Sequence, residues 1–286
     1  MSTATTARVA SPVTTLTPDT ARAGATARQA LTSTTLIECR GVGHRYAARD
    51  GSVHAALADV QLEIAAGEFL CLLGPSGCGK TTLLNMLAGF FAPTQGEILV
   101  GGERIDGPSP TRGVVLQEYS LFPWLTVAGN VAFGLRMAGV PATQRKQQAQ
   151  ALLESVGLSA AARRYPFELS GGMKQRAAIA RALATDPAIL LMDEPFAALD
   201  AMTRNELQTQ LLEIARRTGK TIVFVTHNIA EAIYLGSRIL VMSSHPGRIV
   251  EDVSLADYAR PRRRTSPDFN ALYERLGRAI GTEVME

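Results

Sequence analysis

The stretch Gly74-Pro75-Ser76-Gly77-Cys78-Gly79-Lys80-Thr81 constrains this chain more than any other. A glycine, four residues and then Gly-Lys-Thr follow the apolar run Phe69–Leu73 and precede a helical pattern from Thr81 to about Ala88. Glycines let such a loop turn so that its N–H groups converge on phosphate oxygens. The helix behind it adds the positive end of its dipole. Lys80 brings a full charge to the terminal phosphates, and the Thr81 hydroxyl is a ligand for Mg²⁺. The pattern predicts an ATP site at Gly74–Thr82, to which Cys78 contributes only its backbone N–H.

A strand-loop-helix unit of this kind needs a sheet around it. Ile189–Met192, Thr221–Thr226 and Arg238–Ser243 read as further strands, separated by helices at about Ala201–Thr218 and Ile229–Leu235. This alternation predicts a mainly parallel sheet covered on both faces. Upstream, Thr35–Tyr46 and Leu57–Ile64 read as strands joined by a polar loop, Ala47–Ala56, turning at Arg49-Asp50-Gly51. Glu97–Val100 begins another strand. From Phe122 to about Leu183 the spacing becomes helical; Ala149, Leu152, Leu153 and Val156 share one face and Gly157 ends that helix.

Two strand ends carry chemistry. Ile189–Met192 runs into Asp193 and Glu194, and ligands in parallel sheets sit beyond the carboxyl ends of strands. Asp193 is placed to orient the Mg²⁺ shell, and Glu194 to polarise a water for in-line attack on the γ-phosphate. His227 ends Ile222–Thr226, in reach of the same phosphate. Gln117 follows Val114–Leu116 and is a further candidate for Mg²⁺ and the water.

The bulk numbers exclude several classes. A net charge of +3 over 286 residues gives no reason to expect nucleic acid. Three scattered cysteines, Cys39, Cys71 and Cys78, make neither a disulfide framework nor a zinc site. No apolar run approaches the roughly 20 residues of a membrane helix, so any work at a membrane goes through a partner. Residues 1–34, rich in Ala, Thr and Ser with Arg8, Arg22 and Arg28, are expected to be a disordered tail, although a transit peptide has similar composition. The basic segment and helix at 259–286 begin with Arg260, Arg262, Arg263 and Arg264, expected to be a solvated face, with lipid phosphates or a partner as the alternative.

These pieces stand in one order with Leu169-Ser170-Gly171-Gly172-Met173-Lys174-Gln175-Arg176, which resembles the signature motif of ATP-binding cassette (ABC) ATPases. The resemblance spans about Leu36–Val253. It implies an α/β fold: a P-loop NTPase with a mainly parallel core sheet, an antiparallel β subdomain and a helical insert at about 119–185, together covering residues 35–258. By the same resemblance Ser170, Gly171 and Gly172 close over ATP held by a second subunit, making a homodimer with two sandwiched nucleotides. Ser170 as a helix cap and two glycines that admit close approach to an anion agree with that role. Gln117 corresponds to the Q-loop glutamine, Glu194 to the catalytic glutamate, His227 to the switch histidine, and Lys80 to the phosphate-loop lysine. Ala197-Ala198-Leu199-Asp200 resembles the D-loop, with Asp200 acting across the dimer. Tyr46 fits the aromatic residue that stacks on adenine. Met173 and Asn228 depart from the usual Gln and Asp without removing a phosphate ligand or the carboxylate.

Within the family, three stretches resemble the ATPase subunits of nitrate/sulfonate/taurine importers: Leu121–Thr126, Glu194–Arg204 and Ser244–Ile249. The resemblance implies two transmembrane permease subunits, an external solute-binding protein, and a place at the cytoplasmic face of a bacterial cell membrane. Leu121, Phe122 and Trp124 are candidates for the permease contact, against core packing of the insert. The stretch after Val253 is expected to be too short for the regulatory domain common in sugar importers. A soluble ABC ATPase of DNA repair or translation is the alternative; the second cassette or long inserts usual there are not visible. A degenerate, non-enzymatic subunit is opposed by intact Lys80, Asp193, Glu194 and His227.

Overall fold

The computed structural model describes residues 35–47, 49–258, 260 and 262–281; the expected tail at 1–34 lies outside them. Strands β1 (Thr35–Ala47), β2 (Val53–Ala65), β4 (Gln95–Val100) and β5 (Glu103–Arg104) form an antiparallel sheet in the order β2-β1-β4-β5. A second sheet contains β3 (Phe69–Leu73), β6 (Arg112–Val115), β7 (Ile189–Asp193), β8 (Thr221–Thr226), β9 (Arg238–Met242) and β10 (Ile249–Ser254). Its order is β10-β9-β3-β8-β7-β6, parallel throughout except for the pairing of β10 with β9.

Every residue of β3, β7 and β8 is buried. The reason is that both faces are covered, as continuous apolar strands require. Alternate residues divide between two cores. Leu70 and Leu72 of β3 pack with helix α1 (Lys80–Ala88) and the antiparallel sheet, while Phe69, Cys71 and Leu73 join the helices on the other face. Those helices are α2 (Val127–Met137), α3 (Ala142–Ser155), α4 (Gly171–Leu183), α5 (Ala201–Thr218), α6 (Ile229–Leu235) and α7 (Pro267–Gly281). Helices α2, α3 and α4 fall between β6 and β7. The entry to α2 is fixed by Asn130, fully buried, whose amide donates to the carbonyls of Phe122, Leu125 and Thr126 and accepts from Phe122 N–H.

Two expectations need correction. The polar loop at Ala47–Ala56 is shorter than expected: β1 runs to Ala47 and β2 starts at Val53, which pairs with Ala47 as His54 pairs with Tyr46. Cross-strand pairing outweighs the polar composition there, and the turn is held by Asp50 accepting from the N–H and hydroxyl of Ser52. The arginine cluster is only in part a solvated face: Arg260, Arg263 and Arg264 are exposed and Arg262 is buried. Arg260 donates to the carbonyls of Leu235 and Gly236 at 2.8 Å, and buried Arg262 donates to those of Ile233 at 3.0 Å and Leu255 at 2.9 Å. A helix end leaves carbonyls without partners, and these cations satisfy those of α6. Burial pushes the Arg262 guanidinium down to about 10. Arg264, exposed like Arg260 and Arg263, donates to the Gln208 side chain instead.

Candidate active site

Because β3, β6, β7 and β8 run parallel, the segments leaving their carboxyl ends meet at one edge of the sheet. That edge carries the loop Gly74–Gly79, Gln117, the pair Asp193–Glu194, and His227. A cavity of about 430 Å³ opens there, lined by Tyr46, Ser76, Gly77, Gly79, Lys80, Thr81, Thr82, Gln117 and Glu194, with His54 and Ala56.

The loop's shape follows from its residues. Gly79 sits at φ +90°, and a Cβ there would lie 2.6 Å from Leu57 Cδ2 and 2.9 Å from the Ala56 carbonyl oxygen. Cys78 turns into the core beneath the antiparallel sheet, and burial pushes its thiol up. Its side chain is not among those that line the cavity. The Lys80 ammonium, only 5% exposed, donates to the carbonyls of Gly74 at 2.9 Å and Pro75 at 2.7 Å. These contacts hold the lysine inside the loop it is to serve.

Asp193 ends β7, and its Oδ1 accepts from the Thr81 hydroxyl at 3.1 Å. Burial raises its carboxyl; the Thr81 hydrogen bond opposes that, Glu194 adds to it and Lys80 opposes it. Glu194 leaves the strand in the left-handed region, at φ +39°, which turns its side chain back over the strand end. Its Oε2 accepts from Nδ1 of His227 at 2.9 Å. Tyr46 reaches the cavity from β1, with its hydroxyl 3.3 Å from Thr82 Oγ1.

A hydroxyl beside a carboxylate is the hard oxygen donor set that suits Mg²⁺, which takes one or two carboxylates and completes its shell with phosphate oxygens and water. Among the described residues no cluster of three or more His, Cys, Asp or Glu side chains is arranged as a self-sufficient metal site.

Four expected residues stand apart from this cavity. Ser170 caps α4 by accepting from Met173 N–H at 3.4 Å, and Gly171 lies under Tyr119. Gly172 faces α5, where a Cβ would lie 2.5 Å from Thr203 Cγ2. Asp200 caps α5 by accepting from the N–H groups of Met202 and Thr203 at 3.1 and 3.0 Å. Hydrogen bonding from Thr203, and after it from Met202, holds its carboxyl below the usual range.

His54 was not foreseen. Its signal was the register: antiparallel pairing puts it directly opposite Tyr46, on the cavity. A larger groove of about 1140 Å³ beside α5 holds none of the expected residues. Its cations are already matched: Arg176 by Glu206, Arg216 by Glu213, Lys220 by Asp186, and Arg260 and Arg262 by carbonyls.

Of the candidate permease contacts, Trp124 is 71% exposed, while Leu121 and Phe122 are half-buried. Phe122 packs on Phe133 with ring centroids 4.5 Å apart. No helix among the described residues is long and apolar enough to cross a membrane.

Comparison with known proteins bears on the whole arrangement. Residues 57–197 match the family model described as ABC transporter. An uncharacterized ABC transporter ATP-binding protein of Methanocaldococcus jannaschii is 49% identical over 237 residues, covering 83% of this chain and 88% of that protein. The taurine import ATP-binding protein TauB of Escherichia coli is 49% identical over 219 residues, covering 77% of this chain and 85% of TauB. Among solved structures, a dimeric ATP-binding cassette in a post-hydrolysis state with ADP and Pi superposes with a TM-score of 0.69 at 32% identity. It covers 77% of this chain and 99% of its own. The α/β fold is thus that of an ABC ATPase cassette. The chain belongs to the ABC transporter family, as an ATP-hydrolysing ATP-binding subunit.

Proposed function

We propose that this subunit energises uptake of a small anionic or zwitterionic solute of the taurine, aliphatic sulfonate or nitrate class. The observation that carries the catalytic part is the Glu194–His227 pair, 2.9 Å apart, of which Glu194 lines the phosphate-loop cavity. Glu194 accepts the proton of the attacking water, and His227 holds that carboxylate in place while facing the γ-phosphate. Lys80 and the loop N–H groups bind the phosphates, Tyr46 stacks on adenine, and Gln117 contacts the water. Thr81, Asp193 and Gln117 would hold Mg²⁺, which would supply neutralisation of charge developing on the phosphates.

The placement of Ser170, Gly171, Gly172 and Asp200 supports a homodimer. These residues lie outside the cavity of their own chain, so they are free to complete the cavity of a second copy. Likeness to a dimeric cassette supports the same reading. Exposed Trp124 is the best placed of the candidate contacts for a transmembrane permease partner. Two permeases and an external solute-binding protein complete the proposed assembly at the cytoplasmic face of the membrane. Likeness to taurine importers supports the solute class.

Deleting the gene from its host and measuring uptake of labelled taurine, alkanesulfonate and nitrate tests the cargo. Loss of one, restored by the wild-type chain and not by Lys80→Ala, is expected. Normal uptake of all three would overturn the solute class and leave the ATPase reading standing.

A further inference from the structure

Arg264, an exposed residue of the C-terminal segment, ends on a line of buried polar groups. Its Nη2 donates to the side-chain carbonyl of Gln208 at 2.8 Å, and its guanidinium lies over the Tyr234 ring, 5.5 Å from the centroid. Gln208, wholly buried in α5, turns its amide N–H to Glu231 Oε1 at 3.2 Å. Glu231, buried in α6, accepts from the Thr226 hydroxyl at 2.8 Å through its other oxygen. The same hydroxyl accepts from Asn228 N–H at 3.0 Å. The residues on either side of His227 are thus tied to Glu231.

The segment behind Glu194 is tied to it as well. Arg204 lies 3.6 Å from Glu231 Oε1 and donates to the carbonyls of Leu199 at 2.8 Å and Phe196 at 3.3 Å. Between these groups and the pair above them is a hollow of about 100 Å³ lined by Glu194, Arg204, His227 and Glu231.

We infer that Arg264 is a positioning residue for hydrolysis: through Gln208 and Glu231 it fixes where His227 meets Glu194. A cation at one end and a carboxylate at the other leave the Gln208 amide one favourable orientation. Removing the cation leaves a buried amide oxygen without its donor and loosens the carboxylate that holds the end of β8. Burial raises the Glu231 carboxyl, so its charge depends on the donors around it. The C-terminal segment is in this way part of the catalytic apparatus without touching nucleotide. The inference rests on the proposed roles of Glu194 and His227.

The test compares the full chain with Arg264→Gln, Arg264→Lys, Arg263→Gln and Glu194→Gln, reading kcat and KM for MgATP together with the melting temperature. Arg264→Gln should lower kcat by at least about threefold while KM stays within about twofold. Arg264→Lys should recover most of the loss, and Arg263→Gln should match the wild type. Wild-type kcat in Arg264→Gln overturns the inference, and so does a loss that tracks a fall in melting temperature and is not recovered by lysine. A fully active Glu194→Gln would instead overturn the roles on which it rests.

Discussion

His227 Nδ1 and Glu194 Oε2 lie 2.9 Å apart, although the two residues end different strands. The contact exists because β7 and β8 are parallel neighbours, with Asp193 in register with Val225. Glu194→Gln should lower kcat by at least about 100-fold and keep ATP binding, since the phosphate contacts lie elsewhere. The variant should elute as a dimer with MgATP on size exclusion. His227→Ala should lower kcat with a smaller change in KM. Near-normal turnover in Glu194→Gln would exclude it as the base.

Asp193 gives a pH-dependent prediction whose sign follows from burial. Its carboxyl is raised above 3.8 in the folded chain, chiefly by loss of water. The folded state therefore holds the proton more tightly than the unfolded one, and stability falls as pH rises through that window. Asp193→Asn should raise the melting temperature of the nucleotide-free protein at neutral pH. The gain should vanish below the unfolded carboxyl value. Scanning calorimetry from about pH 3 to 8 checks the stability, and a phosphate-release assay should show that the same variant loses Mg²⁺-dependent hydrolysis. A melting temperature lower than wild type at neutral pH would contradict the argument.

Gly172 is fixed by packing against α5 as well as by any contact with a partner. A methyl group there would meet Thr203 Cγ2 at 2.5 Å. Gly172→Ala should cost about 1–3 kcal/mol in urea unfolding through overpacking. Thr203→Ser removes the opposing methyl, so the double variant should recover most of that stability. If activity stays low once stability is restored, Gly172 does something at the nucleotide beyond holding two helices together.

All three thiols are buried, Cys78 inside the phosphate loop included. Burial pushes Cys39 up to about 12, and raises Cys71 and Cys78 as well. Thiolate is the reactive form, so an aromatic disulfide reagent at pH 8 should find no fast thiol in the native protein and three after denaturation. A rapid single equivalent, slowed by ATP, would mean that the loop opens readily.

The sequence by itself marked the central strands β3, β7, β8 and β9. Phe69–Leu73, Ile189–Met192 and Ile222–Val225 are apolar runs of strand length, followed by the loop Gly74–Thr81, by Asp193 and Glu194, and by Thr226 and His227. The phosphate loop was legible because its chemistry is local: glycine, lysine and threonine act within eight residues of one another. Only the tertiary structure decided what lies across from what. It put His54 opposite Tyr46, set Gly172 against Thr203, and turned Arg260 and Arg262 to the carbonyls at the end of α6. Those outcomes depend on register, on crossing helices and on acceptors left free at a helix end. Pairings of that kind join residues far apart in the chain, and no local pattern encodes them.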